Sequence, residues 1–593
     1  MIRRSLAVPL AALFAASALA ARPARACTNI LVSRGATADG STLVTYAADS
    51  HDLYGELYYT AAARHPAGAA REVVEWDTGD RLGQIRQAEV TYNVVGNMNE
   101  HQVAIGETTF GGRDELVDPK GGIDYGSLMY VALERARTAR EAIEVMTSLV
   151  AEYGYRSSGE SFSISDPKEV WILEMIGKGP GRKGAVWVAR RVPDGHVSAH
   201  ANHARIRQFP RNDPKNTLYA KDVVSFAREK GWFTGKDEDF SFSDTYAPLT
   251  AGALRACEAR VWSVFRRVAP SLNLSVEHVT GGPSAPRLPL WVKPDAKVSV
   301  RGAMELMRDH FEGTPLDLSQ GVGAGPFALP YRWRPMTWKV DGAEYLHERA
   351  ISTQQTGFSF VAQAREWLPG PIGGVLWFGL DDTYSTVYVP QYCGNRAVPR
   401  TFGVGSGNFQ EFSWDSAFWV FNFVSNWAYG RYSDMIQDVQ KVQRELESGF
   451  LSRQEDVEKA ALALHKTSPG LARDYLTQYS VEQGDRTTAR WRRLGETLIV
   501  KYLDGNVRDE HGKVKHPDYP EGWRRRIAQD RGEQIKVVRF PGEKEEEEPT
   551  STPTSTAPDR TAAHPERSDP AAAAARSRGT TPTPSGSPEA ARP

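Results

Sequence analysis

The chain has 593 residues, of which 24% are charged and 40% hydrophobic, with a formal net charge of −1. This is ordinary globular usage, and the near-neutral balance argues against nucleic acid or another polyanion as the main partner. The length fits several domains, or one large enzymatic domain with extensions. Three cysteines, Cys27, Cys257 and Cys393, are too few for a disulfide scaffold and wrongly spaced for a zinc cluster.

Residues 1–26 read as an export leader. Met1-Ile2-Arg3-Arg4 is the positive start, Leu6 to Ala20 is the apolar stretch, and small residues follow. The stretch is too short for an ordinary membrane span, and no later apolar run reaches about eighteen residues, so no membrane span is expected. Two small-x-small sites compete. Cutting after Ala26 exposes Cys27 directly, whereas cutting after Ala20 leaves residues 21–26 as a short pro-segment that needs a second cleavage. The expected destination is the periplasm or the medium. Lipidation of Cys27 is an alternative, but such signals place a larger aliphatic residue three before the cysteine and a small one two before it. Ala24 and Arg25 hold those positions.

Cys27 to Ser33 reads as a strand, Gly35 to Gly40 as a turn and Ser41 to Tyr46 as the hairpin partner. Glu89 to Val95 and Val103 to Thr109 are further strands around Gly96-Asn97-Met98-Asn99-Glu100. Tyr125 to Glu152 reads as helix: Thr138 and Glu141 make a capping box, Ile143, Met146, Leu149 and Val150 form an apolar stripe, and Gly154 ends it. Ser161 to Ser165 and Val170 to Ile176 flank the turn Asp166 to Glu169. Trp377 to Pro390 is strand-like. Ser413 to Glu447 is helical, with Trp414, Phe418, Phe421 and Trp427 as a stripe better explained by core packing than by cofactor stacking, and Arg453 to His465 continues in helical style. Strands, helix, then strands suggest an α+β domain in which helices cover sheet faces. From residue 543 the composition shifts to the acidic run Glu545 to Glu548 and a tail rich in Pro, Ser, Thr and Ala, expected to be disordered.

Cys27 is the first candidate for chemistry. As a new amino terminus it would carry a thiol with a reference pKa near 8.5 beside an α-amine titrating at about 7.7–8.0, so one residue could supply nucleophile and base. Acyl transfer also needs donors for an oxyanion. Asparagine suits this because its amide donates without adding a charge, and Asn99 and Asn202 are candidates.

Cys27-Thr28-Asn29-Ile30-Leu31-Val32 with Asp39-Gly40-Ser41-Thr42, and Asn99-Glu100 running into Val103 to Thr109, resemble the cysteine dipeptidases of the N-terminal nucleophile hydrolase superfamily. Later blocks agree in order: Trp171 to Glu174, Trp187 to Pro193, Ala201-Asn202-His203, Tyr388-Val389-Pro390 and Trp414 to Trp419. The resemblance runs from Cys27 to about Glu447 and implies a four-layer αββα sandwich acting on small peptides without cofactor or metal; with the C-terminal helices the domain is expected to span residues 27–542. It implies that Cys27 attacks the amide carbonyl, that the main-chain N–H of Asn99 and the side chain of Asn202 bind the oxyanion, and that Asp49 orients the α-amine. Arg260 corresponds to a further active-site arginine. One position departs from the family: relatives carry arginine where Tyr46 stands, and a hydroxyl stabilises a thiolate less than a cation does.

Other signals have plainer readings. His200 and His203 lack the partners of a metal site, and Gly321 to Gly325 lacks the Lys-Ser/Thr ending of a phosphate loop. Cys257 and Cys393 are either a disulfide or two buried thiols. Two other functions stay open: an N-acyl amide hydrolase of the penicillin V or choloylglycine type on the same fold, and a lipid-anchored binding protein acylated at Cys27. Homo-oligomerisation is also left open.

Overall fold

A computed structural model describes residues 27–333 and 336–543. The leader, the acidic run and the Pro-rich tail lie outside the described residues, apart from Glu543.

Two antiparallel sheets dominate. The first has seven strands in the order Trp291–Val292, Val197–His200, Asn29–Val32, Thr42–Asp49, Thr356–Ala364, Val375–Leu380 and Val389–Tyr392. The second has eight: Thr217–Tyr219, Ala185–Arg191, Val170–Gly177, Gly159–Ser165, Ala104–Gly111, Met98–Asn99, Val94–Val95 and Tyr59–Thr60. The central strands are buried along their whole length, as expected where both faces are covered. Leu31 and Val44 of the first sheet share one apolar cluster with Ile172 and Val188 of the second. The sheets approach closely at Gly106, where a Cβ would lie 2.8 Å from Asn29 Nδ2 and 3.0 Å from Tyr46 Cβ.

The expected helix from Tyr125 to Glu152 is two helices, Tyr125–Leu133 and Ala139–Tyr153. Each has its own cap. Asp124 accepts from the amides of Gly126 and Ser127, and Thr138 accepts from that of Glu141, so a second start signal lies inside the apolar pattern. Gly154 ends the second helix at φ +85°, a conformation that favours glycine. Leu128, Ile143 and Met146 pack with Phe162, Trp171 and Leu173 of the eight-stranded sheet.

The stretch Trp377 to Pro390 divides into two paired strands, Val375–Leu380 and Val389–Tyr392. Ser413 to Glu447 likewise divides into Ala417–Tyr429 and Tyr432–Thr467, the latter taking in Arg453 to His465. Gly430 and Arg431 interrupt them, with Arg431 at φ −147°, ψ 61°. A third helix, Pro469–Lys501, follows. In the aromatic stripe Phe418 and Phe421 are buried, whereas Trp414 and Trp427 stay partly exposed. Phe421 stacks on Trp491 at 5.1 Å, and both join the cluster that includes Trp377.

Residues up to Asp530 belong to one unit. In the second unit, from Arg531, the described residues comprise a helix end and an exposed stretch containing Val537, Val538 and Phe540. All three cysteines are free, so Cys257 and Cys393 form no disulfide, and the Cys393 thiol donates to Gly370 O at 3.1 Å. The Gly321 to Gly325 segment is a surface turn with Val322 exposed.

The long helix is anchored by a buried ion pair: Arg308 Nη2 lies 2.5 Å from Glu447 Oε1, which also accepts from the Tyr388 amide. Replacing Arg308 by Met should leave a buried carboxylate without its cation, at a cost of about 3–5 kcal/mol. A lowered thermal midpoint checks this.

Candidate active site

Cys27 begins the edge of the strand that runs to Val32, and its thiol is buried. It sits in a cleft with Tyr46, Asp49, Asp52, Asp77, Asn97 and Glu107 among the lining residues. The wall around Asp77 is fixed by the Tyr125–Leu133 helix: Tyr125 donates to Asp77 at 3.0 Å, and Trp76 stacks on Tyr130 at 4.7 Å. A larger cavity of about 870 Å³, lined by Phe327, Trp427, Tyr502 and Tyr519, holds none of the expected site residues.

The thiol is 3.4 Å from Glu107 Oε1 and 3.8 Å from the Tyr46 hydroxyl, and Tyr46 donates to the same Glu107 oxygen at 2.6 Å. Burial pushes the Cys27 thiol well above its usual range, and the charges of Glu107 and Asp49 add to the rise. Burial also raises Tyr46 well above its usual value. Asp49 accepts from Thr356 at 2.7 Å and from Arg349 at 3.3 Å. Burial raises its carboxyl to about 7 against the opposing pull of Arg349 and the Thr356 hydrogen bond.

Arg260, fully buried on the helix Ala259–Val268, binds this site from behind. Its Nη1 donates to Cys27 O and to Thr28 Oγ1, each at 2.8 Å, and its Nη2 donates to Asn202 Oδ1 at 2.9 Å. Asn202 adopts φ +56°, a left-handed conformation that asparagine tolerates, and its Nδ2 donates to Thr109 O at 2.8 Å. The structure therefore brings together Cys27, Asp49, Arg260 and Asn202.

Asn99 is not brought to the thiol. Its main-chain N–H donates to Val103 O at 3.0 Å, and its side chain donates to Leu133 O and Ala136 O, each at 2.7 Å. The expected oxyanion donor is thus committed to the turn and to the helix end behind it. Asn97, two residues earlier, lines the cleft instead, with Nδ2 on Ile105 O at 2.9 Å. His200 lies between Thr108 Oγ1 at 2.8 Å and Ser163 Oγ at 2.7 Å, and burial lowers its pKa to about 3. Its imidazole is a neutral bridge between the sheets. Among the described residues no group of three or more His, Cys, Asp or Glu is placed to hold a metal ion.

Sequence reading gave no role to Glu107 or Arg349. A signal existed for Glu107: a carboxylate between Gly106 and Thr108, inside an otherwise apolar or small-residue strand, has to be paired when buried. Arg349 carries no comparable local signal, since it reaches Asp49 across 300 positions of sequence.

The cleft gathers a buried thiol, carboxyl groups and an asparagine amide, and comparison with known proteins gives the class. The model of peptidase family C69 matches residues 26–445, and the chain belongs to that family. Similar proteins include a probable dipeptidase of Salmonella dublin, 28% identical over 400 residues, covering 65% of this chain and 84% of that protein. A probable dipeptidase B of Streptococcus pyogenes serotype M1 is 22% identical over 491 residues, covering 80% and 93%. A probable dipeptidase of Latilactobacillus sakei is 24% identical over 394 residues, covering 64% and 76%.

The raised carboxyl of Asp49 has a thermal consequence. A carboxyl that holds its proton more tightly folded than unfolded contributes most stability below its ordinary value of 3.8, and that contribution is lost as pH rises to about 7. Burial gives Glu174 and Asp381 the same direction, so they keep part of the slope. Relative to the parent, Asp49→Asn should therefore gain roughly 2–3 °C in melting temperature at pH 8 compared with pH 5. An equal difference at both pH values would contradict the assignment.

Proposed function

We propose that the protein is an exported dipeptidase that uses Cys27, freed as the amino terminus, as its nucleophile. The observation that carries this reading is the Cys27 thiol at a cleft whose lining includes Asp49, Asp52, Asp77 and Glu107 but neither Lys nor Arg. Such a lining attracts a free ammonium group, as at the amino end of a dipeptide, better than an acylated amine. Membership of peptidase family C69 and the printed names of the relatives agree with it.

In this reading the thiol attacks the peptide carbonyl, a thioester forms as the amine leaves, and water releases the acyl group. The α-amine of Cys27 serves as base, directly or through water, and returns its proton to the leaving nitrogen. Asn202, held by the guanidinium that also holds the Cys27 carbonyl, is the oxyanion donor. Asn99 is given no part in it. Asp49 orients the amine from the adjoining strand. The two facing sheets with their covering helices are read as the four-layer αββα sandwich of N-terminal nucleophile hydrolases, spanning 27–542, with 1–26 as leader and 543–593 as tail.

Cys27→Ala should lower turnover of a dipeptide panel by at least 10³-fold with the melting temperature nearly unchanged. Amino-terminal sequencing of secreted active protein should begin at Cys27, and intact mass should show no lipid. Faster cleavage of penicillin V or conjugated bile acids than of any dipeptide would overturn the substrate assignment.

A further inference from the structure

We infer that Glu107 is a catalytic residue whose carboxylate takes the proton of the Cys27 thiol as sulfur attacks. The inference rests on the reading of Cys27 as nucleophile and moves the proton transfers from its α-amine to Glu107. Glu107 Oε1 lies within hydrogen-bond reach of both Cys27 Sγ and the Tyr46 hydroxyl. It is reached from the facing sheet, through the close approach at Gly106. Tyr46 occupies the strand position where the resemblance anticipates arginine. An arginine there would pair with Glu107 and favour a resting thiolate. Tyrosine instead brings no positive charge to the carboxylate and holds it in place with one donated hydrogen bond.

Charge conservation favours this route. Ionising the thiol beside an ionised carboxylate would put two anions in one buried site, whereas moving the proton from sulfur to Glu107 keeps a single negative charge. The S–H bond breaks, an O–H bond forms on Oε1, and the sulfur electron pair bonds to the carbonyl carbon. When the tetrahedral adduct collapses, the C–N bond breaks and the leaving nitrogen takes a proton from Glu107, leaving a thioester and a carboxylate. In the second half water gives a proton to Glu107 and its oxygen to the acyl carbon. The C–S bond then breaks, and the proton returns to sulfur.

The titratable and charged groups around the pair are the α-amine of Cys27 itself in the mature chain, Tyr46 and Asp49 on the Thr42–Asp49 strand, Tyr125 on its helix, Tyr155, and Asp52 and Asp77 in the cleft wall. Arg260 and Arg349 complete the set, but they are bonded to the Cys27 carbonyl and to Asp49 rather than to the thiol.

The test uses the mature enzyme and a dipeptide such as Ala-Ala, with kcat, KM and the pH profile of kcat/KM measured for each variant. Glu107→Gln should lower kcat by 10²-fold or more with KM within about threefold, and should remove the acidic limb of the profile. Tyr46→Phe should shift that limb to higher pH, because the carboxylate loses the hydrogen bond that favours its charged form. A Glu107→Gln enzyme within threefold of the parent kcat and with the acidic limb intact overturns the inference and leaves the α-amine as acceptor. Should Glu107→Gln fail to fold by thermal melting, Tyr46→Phe decides, and an unmoved limb overturns it. Dipeptidase activity retained by Cys27→Ala would instead refute the underlying reading of the nucleophile.

Discussion

The guanidinium of Arg260 joins segments that are far apart in sequence. Its donors reach Ala256 O in the π-helical turn Ala253–Glu258 that leads into its helix, the carbonyl of Cys27, the hydroxyl of Thr28, the carbonyl of Ala201 and the side chain of Asn202. Planar, fixed geometry suits arginine to such a junction, where one cation satisfies several acceptors at once. Cys27, Thr28 and Ala201 are buried, so their acceptors could not turn to water if the guanidinium were withdrawn. The start of the Asn29–Val32 strand, the exit of the Val197–His200 strand and the helix behind them are therefore tied together, and the thiol takes its position from that junction.

On the open side of Cys27 the electrostatics run the other way. Carboxylates face the thiol, and the cations nearby are turned to the Cys27 carbonyl and to Asp49. Burial already disfavours ionisation of sulfur, and the surrounding acids add to the penalty. In the proposed reading the nucleophile sheds its proton in concert with bond formation rather than waiting as a thiolate. The close packing of the two sheets makes the arrangement possible: with no side chain at Gly106, the Tyr46 ring can lie against the opposite sheet and its hydroxyl can meet Glu107. That ring is in turn packed edge-on against Phe358 and Phe360, so the donor is held by apolar contacts as well as by its hydrogen bond.

Local signals identified strands and helices well where a cap or turn marked them. Thr138, Glu141 and Gly154 located one helix correctly, and Asp166 to Glu169 located the hairpin between Gly159–Ser165 and Val170–Gly177. Continuity misled where the pattern ran through a break: Asp124 starts one helix and Thr138 the next, and Gly430-Arg431 parts the aromatic helix Ala417–Tyr429 from the helix that follows. Of the site, Cys27, Asp49, Asn202 and Arg260 were legible through resemblance and do gather at one place. Asn99 was legible as a motif residue, but its motif cannot tell whether its N–H points at a cleft or closes a turn. Val103 and the helix end at Leu133 and Ala136 settle that, and they take its donors.

The sequence by itself determined most element types, the family to which the chain belongs and the candidate residues of its site. These depend on periodicity, capping and contiguous motifs, which are local properties of a chain. Only the tertiary structure decided that Glu107 meets Cys27, that Tyr46 fixes that carboxylate, that Arg349 supports Asp49, and that the remaining two thiols stay apart. Each of those facts joins residues separated by between 61 and 300 positions or lying on different sheets. Sheet packing and burial set such distances, and no pattern along the chain encodes which buried charge will face which.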